Sequence, residues 1–354
     1  MQHSMKIFVI AAIAFLFAFA ACRGDGKGKP APCAKHTWGE WTVKTAADET
    51  TDGEEERTCT ACGEEETQFG EYAAGTAGLA YERIGNGKAY RVRKGTVTEG
   101  EVVIPAFYRP NARSPYLPVT EVGVLDLDEL AAAFYNTAIT GVTFLTPSNI
   151  TGIGDRAFSD TALTSIAIPD SVTSIGKSAF SDCAALTSVI IPASVERIGG
   201  ALFRRCTALT NITVDKSNPN YYSVNGIVYT KEDQAVLVEA LAGITGALTI
   251  HRGVRSIGES AFECCDALTS VTIPEGVTFI GHRAFLNCTA LASVTVLRET
   301  PPVLDGLSEG AGHNVTFEGN HASRQIFVPA GSVAAYKAAA NWSHYADRIA
   351  AITQ

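Results

Sequence analysis

Two pairs of potential metal ligands stand near the start of the chain, Cys33-x2-His36 and Cys59-x2-Cys62, with Trp38 and Trp41 between them. Thiolate sulfur and imidazole nitrogen are preferred ligands of tetrahedral zinc, and these four side chains make a complete set at a familiar spacing. Residues 33–69 hold few apolar side chains, so a bound metal can supply the folding energy that so short a segment lacks. Outside the cytoplasm a disulfide between two of Cys33, Cys59 and Cys62 is the alternative. Structural zinc in residues 33–69 is the one cofactor that the spacing suggests.

No other constellation assembles a reaction. His-Glu-x-x-His, Gly-x-Ser-x-Gly and a phosphate-binding loop are all missing, and Gly85-Asn86-Gly87 lacks the third glycine of a dinucleotide site. The seven histidines follow no partner pattern. Cys183, Cys206, Cys265 and Cys288 recur at a single repeat position, whereas catalytic groups are unique; buried, inert thiols are expected there. An enzyme is therefore not expected. A net charge of −9 argues against nucleic acid, whose binding needs clustered Lys and Arg.

The amino-terminal residues indicate a compartment. After Lys6, Ile7 to Ala21 is an unbroken apolar run of 15 residues, short for a membrane span and suited to a signal peptide over residues 1–21. It ends in Phe19-Ala20-Ala21-Cys22, which resembles a bacterial lipobox, with Phe19 where that pattern prefers Leu, Val or Ile. The resemblance implies that Cys22 is acylated and becomes the mature amino terminus, holding the protein to a membrane through its lipid. Cleavage would remove one charge, Lys6, and take the net from −9 to −10. Residues 22–32 form a polar linker; its Arg23-Gly24-Asp25 triplet would lie against the bilayer, a poor place for recognition.

The rest of the chain repeats. Phe180 to Phe203, Cys183 to Cys206, Leu186 to Leu209, Phe262 to Phe285 and Cys265 to Cys288 are all separated by 23 residues. Six units start near Val119, Asn149, Val172, Val195, Val254 and Val277, and the 59 residues from Phe203 to Phe262 hold one repeat of 23 plus an extended unit of 36, about residues 215–247. A period in the twenties with Leu and Ile at fixed offsets predicts a leucine-rich repeat solenoid, in which stacked coils share one core. The Phe residues should stack as an inner spine, the prolines should mark strand ends, and Gly176, Gly199, Gly258 and Gly281 should supply backbone freedom at a turn.

Ile-Gly-x-x-Ala-Phe with a Cys three residues on resembles the BspA-like leucine-rich repeats of bacterial surface lipoproteins. The likeness extends over residues 79–354. It implies a right-handed superhelix of short strands, turns and short helical segments. Residues 79–118 would be its β-rich lead-in, 119–296 its repeats, and 297–354 a C-terminal cap with a short helix for which Ser332 is the expected N-cap. Thr161 where Cys is usual, and Leu202 where Ala is usual, depart from the pattern. Residues 33–69 resemble a small module of bacterial surface proteins carrying His-x-Trp-Gly-x-Trp and Arg-x-Cys-x-x-Cys-Gly, here His36 to Trp41 and Arg57 to Gly63. Many such modules carry a further Cys where Glu49 stands.

The family implies a lipid-anchored protein of the outer membrane or cell surface that binds an extracellular protein or a cell-surface ligand. A structural envelope spacer, or capture of glycan or protein for nutrient uptake, are the alternatives; the oligomeric state is open. Strand alternation places Ser165, Ala167, Ser188, Ile190, Asn211, Thr213, Ser270, Thr272, Ser293 and Thr295 on the outer face of the repeats. That face has neither aromatic residues nor charge, a poor composition for a tight site. Tyr221, Tyr222 and Tyr229 of the extended unit, beside Lys231, Glu232 and Asp233, are the better-equipped candidates for binding. Their alternative role is to pack that unit onto the solenoid.

Overall fold

The computed structural model describes residues 42–45, 54–58, 65–69, 75–110, 114, 116–123, 132–231, 235–305 and 315–353. The chain forms two compact units, Met1–Ala46 with Gly53–Gly70, and Ala47–Asp52 with Glu71–Gln354. In the smaller unit Thr42–Thr45, Glu54–Thr58 and Glu65–Phe69 make an antiparallel three-stranded sheet in chain order. Cys22, Cys33, His36, Cys59 and Cys62 lie outside the described residues.

The larger unit is a leucine-rich repeat fold of short, mostly parallel strands in two columns. One column runs through Leu117–Val122, Gly152–Ile153, Ser174–Ile175 and Arg197–Ile198, with the antiparallel pair Ala80–Ile84 and Ala89–Arg93 added at its start. The other contains Ser188–Ile191 beside Asn211–Val214 and, later, Gly246–Thr249, Leu268–Ile273, Ser293–Val296, Gln325–Val328 and Ile349–Ala351. Ser174 pairs with Arg197, Ser188 with Asn211 and Ser270 with Ser293. Alternation along these strands sends Val189 and Ile191 inward, at 1% and 0% exposure, and leaves Ile190 outward at 62%. Pro192 and Pro274 directly follow strands, where a missing N–H costs no ladder bond.

Inside, the phenylalanines stack coil upon coil. Phe134, Phe158, Phe180 and Phe203 lie nearly parallel with centroids 5.5, 5.6 and 5.7 Å apart, and Phe262, Phe285 and Phe317 follow at 4.9 and 5.4 Å. All are fully buried. The cysteines line the same interior: the thiols of Cys183, Cys206 and Cys288 each donate, at 3.0 Å, to the carbonyl of the preceding coil's Phe. Thr161 stands in the same slot but bonds differently, its hydroxyl donating at 2.8 Å to Phe158 O of its own coil.

The repeated glycines serve a purpose other than the expected one. Gly176, Gly199, Gly258 and Gly281 are not among the residues with positive φ. A Cβ on Gly176 would meet Asp155 N at 2.5 Å, and one on Gly199 would meet Lys177 N at 2.4 Å. These glycines therefore let coils approach one another backbone to backbone. The left-handed conformation falls two residues later, on Arg156, Ser178, Ala201, Ser260 and Arg283, none of which is the residue type that adopts it most readily.

The extended unit interrupts both the spine and the strand columns. Its hairpin strands Tyr221–Val224 and Ile227–Thr230 are joined by Asn225 and Gly226, both at positive φ, and a third strand, Ala235–Ala240, pairs with the second. The buried side chains accordingly form two clusters. Val228 belongs to the first, whereas its neighbours Ile227 and Tyr229 belong to the second. One strand thus presents opposite faces to two cores.

At the carboxyl end Val333–Ala338 is helical. Ser332 precedes it as expected, but its buried side chain makes no capping hydrogen bond, and a 3-10 turn over Ala330–Ser332 leads in instead. Fully buried Tyr336 and Trp342 tie this segment down, donating to Arg298 O and Pro302 O, each at 2.7 Å.

Candidate functional site

The tyrosines of the extended unit do not form a shared exposed face. Strand alternation turns Tyr221 toward the first core and Tyr229 toward the second, at 9% and 5% exposure. The Tyr221 hydroxyl donates to Glu196 O at 3.3 Å. Tyr222, half-buried, stacks on its cross-strand partner Tyr229 with centroids 5.2 Å apart, and burial pushes the Tyr229 phenol up to about 12. Packing the hairpin between the two cores accounts for all three rings.

The interruption creates a chemical problem on the turn side of the coils. The Phe180 amide donates to Leu202 O in the following coil and the Phe262 amide to Ala284 O. The amides of Leu202 and Phe203 face the extended unit, which lacks this turn. Buried Glu239 supplies the acceptors instead, its two carboxyl oxygens taking the Leu202 and Phe203 N–H groups at 3.1 Å each. Burial outweighs those two hydrogen bonds and pushes the Glu239 carboxyl up to about 8.

A notch of about 360 Å³ beside this break is lined by Arg156, Lys177, Arg204, Arg205, Glu263 and Arg283, among others. Ion pairs span it: Lys177 to Glu259 at 2.6 Å, and Arg204 to Asp182 at 2.8 Å and Glu263 at 3.2 Å. These charges answer one another across the gap and lace the flanking coils together.

Four of the buried thiols donate to backbone carbonyls of neighbouring coils. Burial pushes Cys265 well up and Cys288 up to about 12; the hydrogen bond between Cys183 and Cys206 raises Cys206, with burial adding to it, and lowers Cys183, whose complete burial is then what shields it from reagents. Cys183, Cys206, Cys264, Cys265 and Cys288 should resist iodoacetamide in the native protein at neutral pH and be alkylated fully after denaturation, as peptide mapping would show. Rapid native labelling of any of the five, or a disulfide among them, would contradict this assignment. Among the described residues no group of three His, Cys, Asp or Glu is arranged to hold a metal, and no helix is long and apolar enough to cross a membrane.

A cluster of half-buried aromatic rings lies in the lead-in, where no site was expected. Tyr108 lies in the short strand Phe107–Tyr108, antiparallel to Leu117–Val122, and this pairing brings it over Tyr81 of the edge strand Ala80–Ile84. The two rings stack with centroids 3.6 Å apart and 10° between planes, and buried Tyr90 meets Tyr108 edge-on at 5.1 Å. Arg109 lies over the Tyr116 ring at 4.2 Å. Together with Pro105 and the small residues Gly75 to Gly78, these side chains line a cleft of about 420 Å³. Tyr and Arg are the residue types that anchor interfaces. Tyr81, Tyr108 and Tyr116 lie outside any repeat and are scattered in the sequence, so spacing gave no signal of their meeting.

Comparison with known proteins places the repeats. The model for the BspA type leucine-rich repeat region matches residues 131–227 and 244–301 in six copies. Similar solved structures include the pneumococcal vaccine antigen PcpA, 15% identical, covering 80% of this chain and all of that one with a TM-score of 0.42. A leucine-rich repeat protein from Eubacterium ventriosum is 20% identical over 72% of this chain and 76% of its own, TM-score 0.44. A leucine-rich cell surface protein from Faecalibacterium prausnitzii is 21% identical over 74% and 90%, TM-score 0.38. No curated protein matches the chain.

Proposed function

The repeat region of this chain belongs to the BspA type of leucine-rich repeat, and on that footing we propose that the protein is a non-enzymatic, adhesin-like binding module of the cell surface. It is held to the membrane by a lipid on Cys22 and engages an extracellular protein or cell-surface ligand. The observation that carries the binding role is the lead-in cleft. There Tyr81 and Tyr108 stack half-buried beside Arg109 and Tyr116, a grouping of interface-type residues whose rings are not bound up in ion pairs with neighbouring coils. The outer strand face, with Ser188, Asn211 and Thr213 around exposed Ile190, offers no aromatic or charged anchor.

Intact cells test this reading. Added protease should cleave the protein, Cys22→Ser should release it from membranes, and Tyr81→Ser with Tyr108→Ser should lower adherence to a host cell layer or matrix protein about tenfold or more, the scale of a hot spot. Ile190→Arg should change adherence little. Protection from protease on intact cells, or full adherence by the double tyrosine variant, would defeat the proposal and favour a structural spacer.

A further inference from the structure

We propose that the lead-in cleft takes a proline-rich segment of a partner protein in the extended polyproline II conformation, an inference that deepens the binding role proposed above and rests on it. Three observations on the two walls carry it.

The first is shape. One wall is built from rings, the Tyr81–Tyr108 stack, Phe107 and the Tyr116 ring under Arg109; the other is the narrow run Gly75-Thr76-Ala77-Gly78. Gly75 lies so close to Pro105 that an added Cβ would meet Pro105 Cδ at 2.5 Å, and one on Gly78 would meet Thr96 Oγ1 at 2.4 Å. The small residues are therefore required where they stand, and they keep that wall low. An extended ligand with flat apolar rings fits between such walls, and pyrrolidine rings on aromatic ridges are a recurring solution.

The second is the balance of donors and acceptors. The lining holds phenol hydroxyls and a guanidinium but no carboxylate or carboxamide side chain. Among the described residues neither the Tyr81 nor the Tyr108 hydroxyl has a hydrogen-bond partner, and neither is sealed from solvent. Such a surface suits a ligand that offers acceptors and few donors. A proline-rich chain is that ligand, since each proline presents a carbonyl and lacks an N–H.

The third observation disfavours strand addition along the low wall. The Thr76 amide donates to Val103 O at 2.9 Å, its hydroxyl accepts from Val103 N at 2.6 Å, and Gly78 O accepts the Thr96 amide at 2.9 Å. Thr76 and the Gly78 carbonyl are thus already paired within the fold, which leaves the rings and their polar tips as the main means of recognition.

The test is fluorescence anisotropy of a labelled decaproline peptide titrated with the full chain, against a glycine–serine peptide of equal length. Saturable binding of decaproline alone is expected, with at least a tenfold loss in Tyr108→Ser. Tyr81→Phe with Tyr108→Phe keeps the stack and removes two donors; it should weaken binding severalfold with an unchanged melting curve, so the result stands even if Tyr108→Ser unfolds. No saturable decaproline binding, equal binding of both peptides, or full affinity in the Phe variant would overturn the proposal. Lost adherence in the tyrosine variants without decaproline binding would reject this partner class and leave the surface role standing. Decaproline binding with adherence unaffected would reject the adherence role and keep the ligand.

Discussion

Phe180→Ala should destabilise the protein by about 3–5 kcal/mol, the usual cost of emptying a large aromatic site that cannot collapse. Phe180 is fully buried between Phe158 and Phe203, with centroids at 5.6 and 5.7 Å, so truncation strips ring contacts from two neighbouring coils at once. Phe285 holds the matching place between Phe262 and Phe317. The hydrophobic cluster containing Phe180 is separate from the one containing Phe285. Losses from Phe180→Ala and Phe285→Ala should therefore add to within about 0.5 kcal/mol in the double variant, as they do for distant sites. Urea denaturation followed by circular dichroism measures both quantities. A loss under about 1 kcal/mol at Phe180, the level of an ordinary substitution, would mean that the spine is not a stabilising core.

Glu239 should make stability fall as the pH rises from about 4.5 to 8. Its carboxyl is pushed up to about 8 in the folded protein, against an ordinary value of 4.5. Below pH 4.5 both states carry the proton and the contribution is complete. Between the two values the unfolded chain ionises while the folded chain holds its proton, so stability declines with a limiting slope of about 1.4 kcal/mol per pH unit; above 8 it levels off. Glu239→Gln removes that slope. It also turns an amide N–H toward the Leu202 or Phe203 N–H, leaving a buried donor unpaired at about 1–3 kcal/mol. The wild type should thus be clearly more stable than Glu239→Gln at pH 5, and the gap should close or reverse by pH 8.5. Melting temperatures across that range decide it. Parallel curves for the two proteins would show that Glu239 ionises in the folded state as it does in the unfolded chain.

The repeats were legible because each coil meets its neighbour at nearly constant separation, so Phe and Cys positions that coincide in sequence coincide in space. The aromatic spine and the buried thiols followed directly. Other features depended on relations that a period does not carry. Glu239 reads as one more residue in Val238-Glu239-Ala240 until the missing turn opposite Phe203 is seen. Gly176 and Gly199 looked like turn residues because glycine serves both purposes, and only the distance to the coil behind them distinguishes close approach from a left-handed turn. Tyr221 and Tyr229 sit in a hairpin with a core on each side, where alternation hides aromatic residues whichever way they point. The lead-in cleft draws on segments joined only by folding, so Tyr81, Tyr108 and Tyr116 looked like isolated aromatics.

The hairpin also fixes where this chain tolerates a change of length. Within a coil, one inserted residue would slide every following side chain off its neighbour's register and turn inward residues outward. The Asn225-Gly226 tip is under no such constraint: Val224 and Asn225 are exposed, and the strands on either side pair mainly with each other and with Ala235–Ala240. Gly226 itself packs against Leu241, where an added Cβ would meet Leu241 Cδ1 at 2.1 Å, so added residues belong between Val224 and Gly226. An epitope tag or a foreign loop spliced there would leave the coil count and both cores as they are. The interruption in the repeats is the place where the fold can accept new sequence.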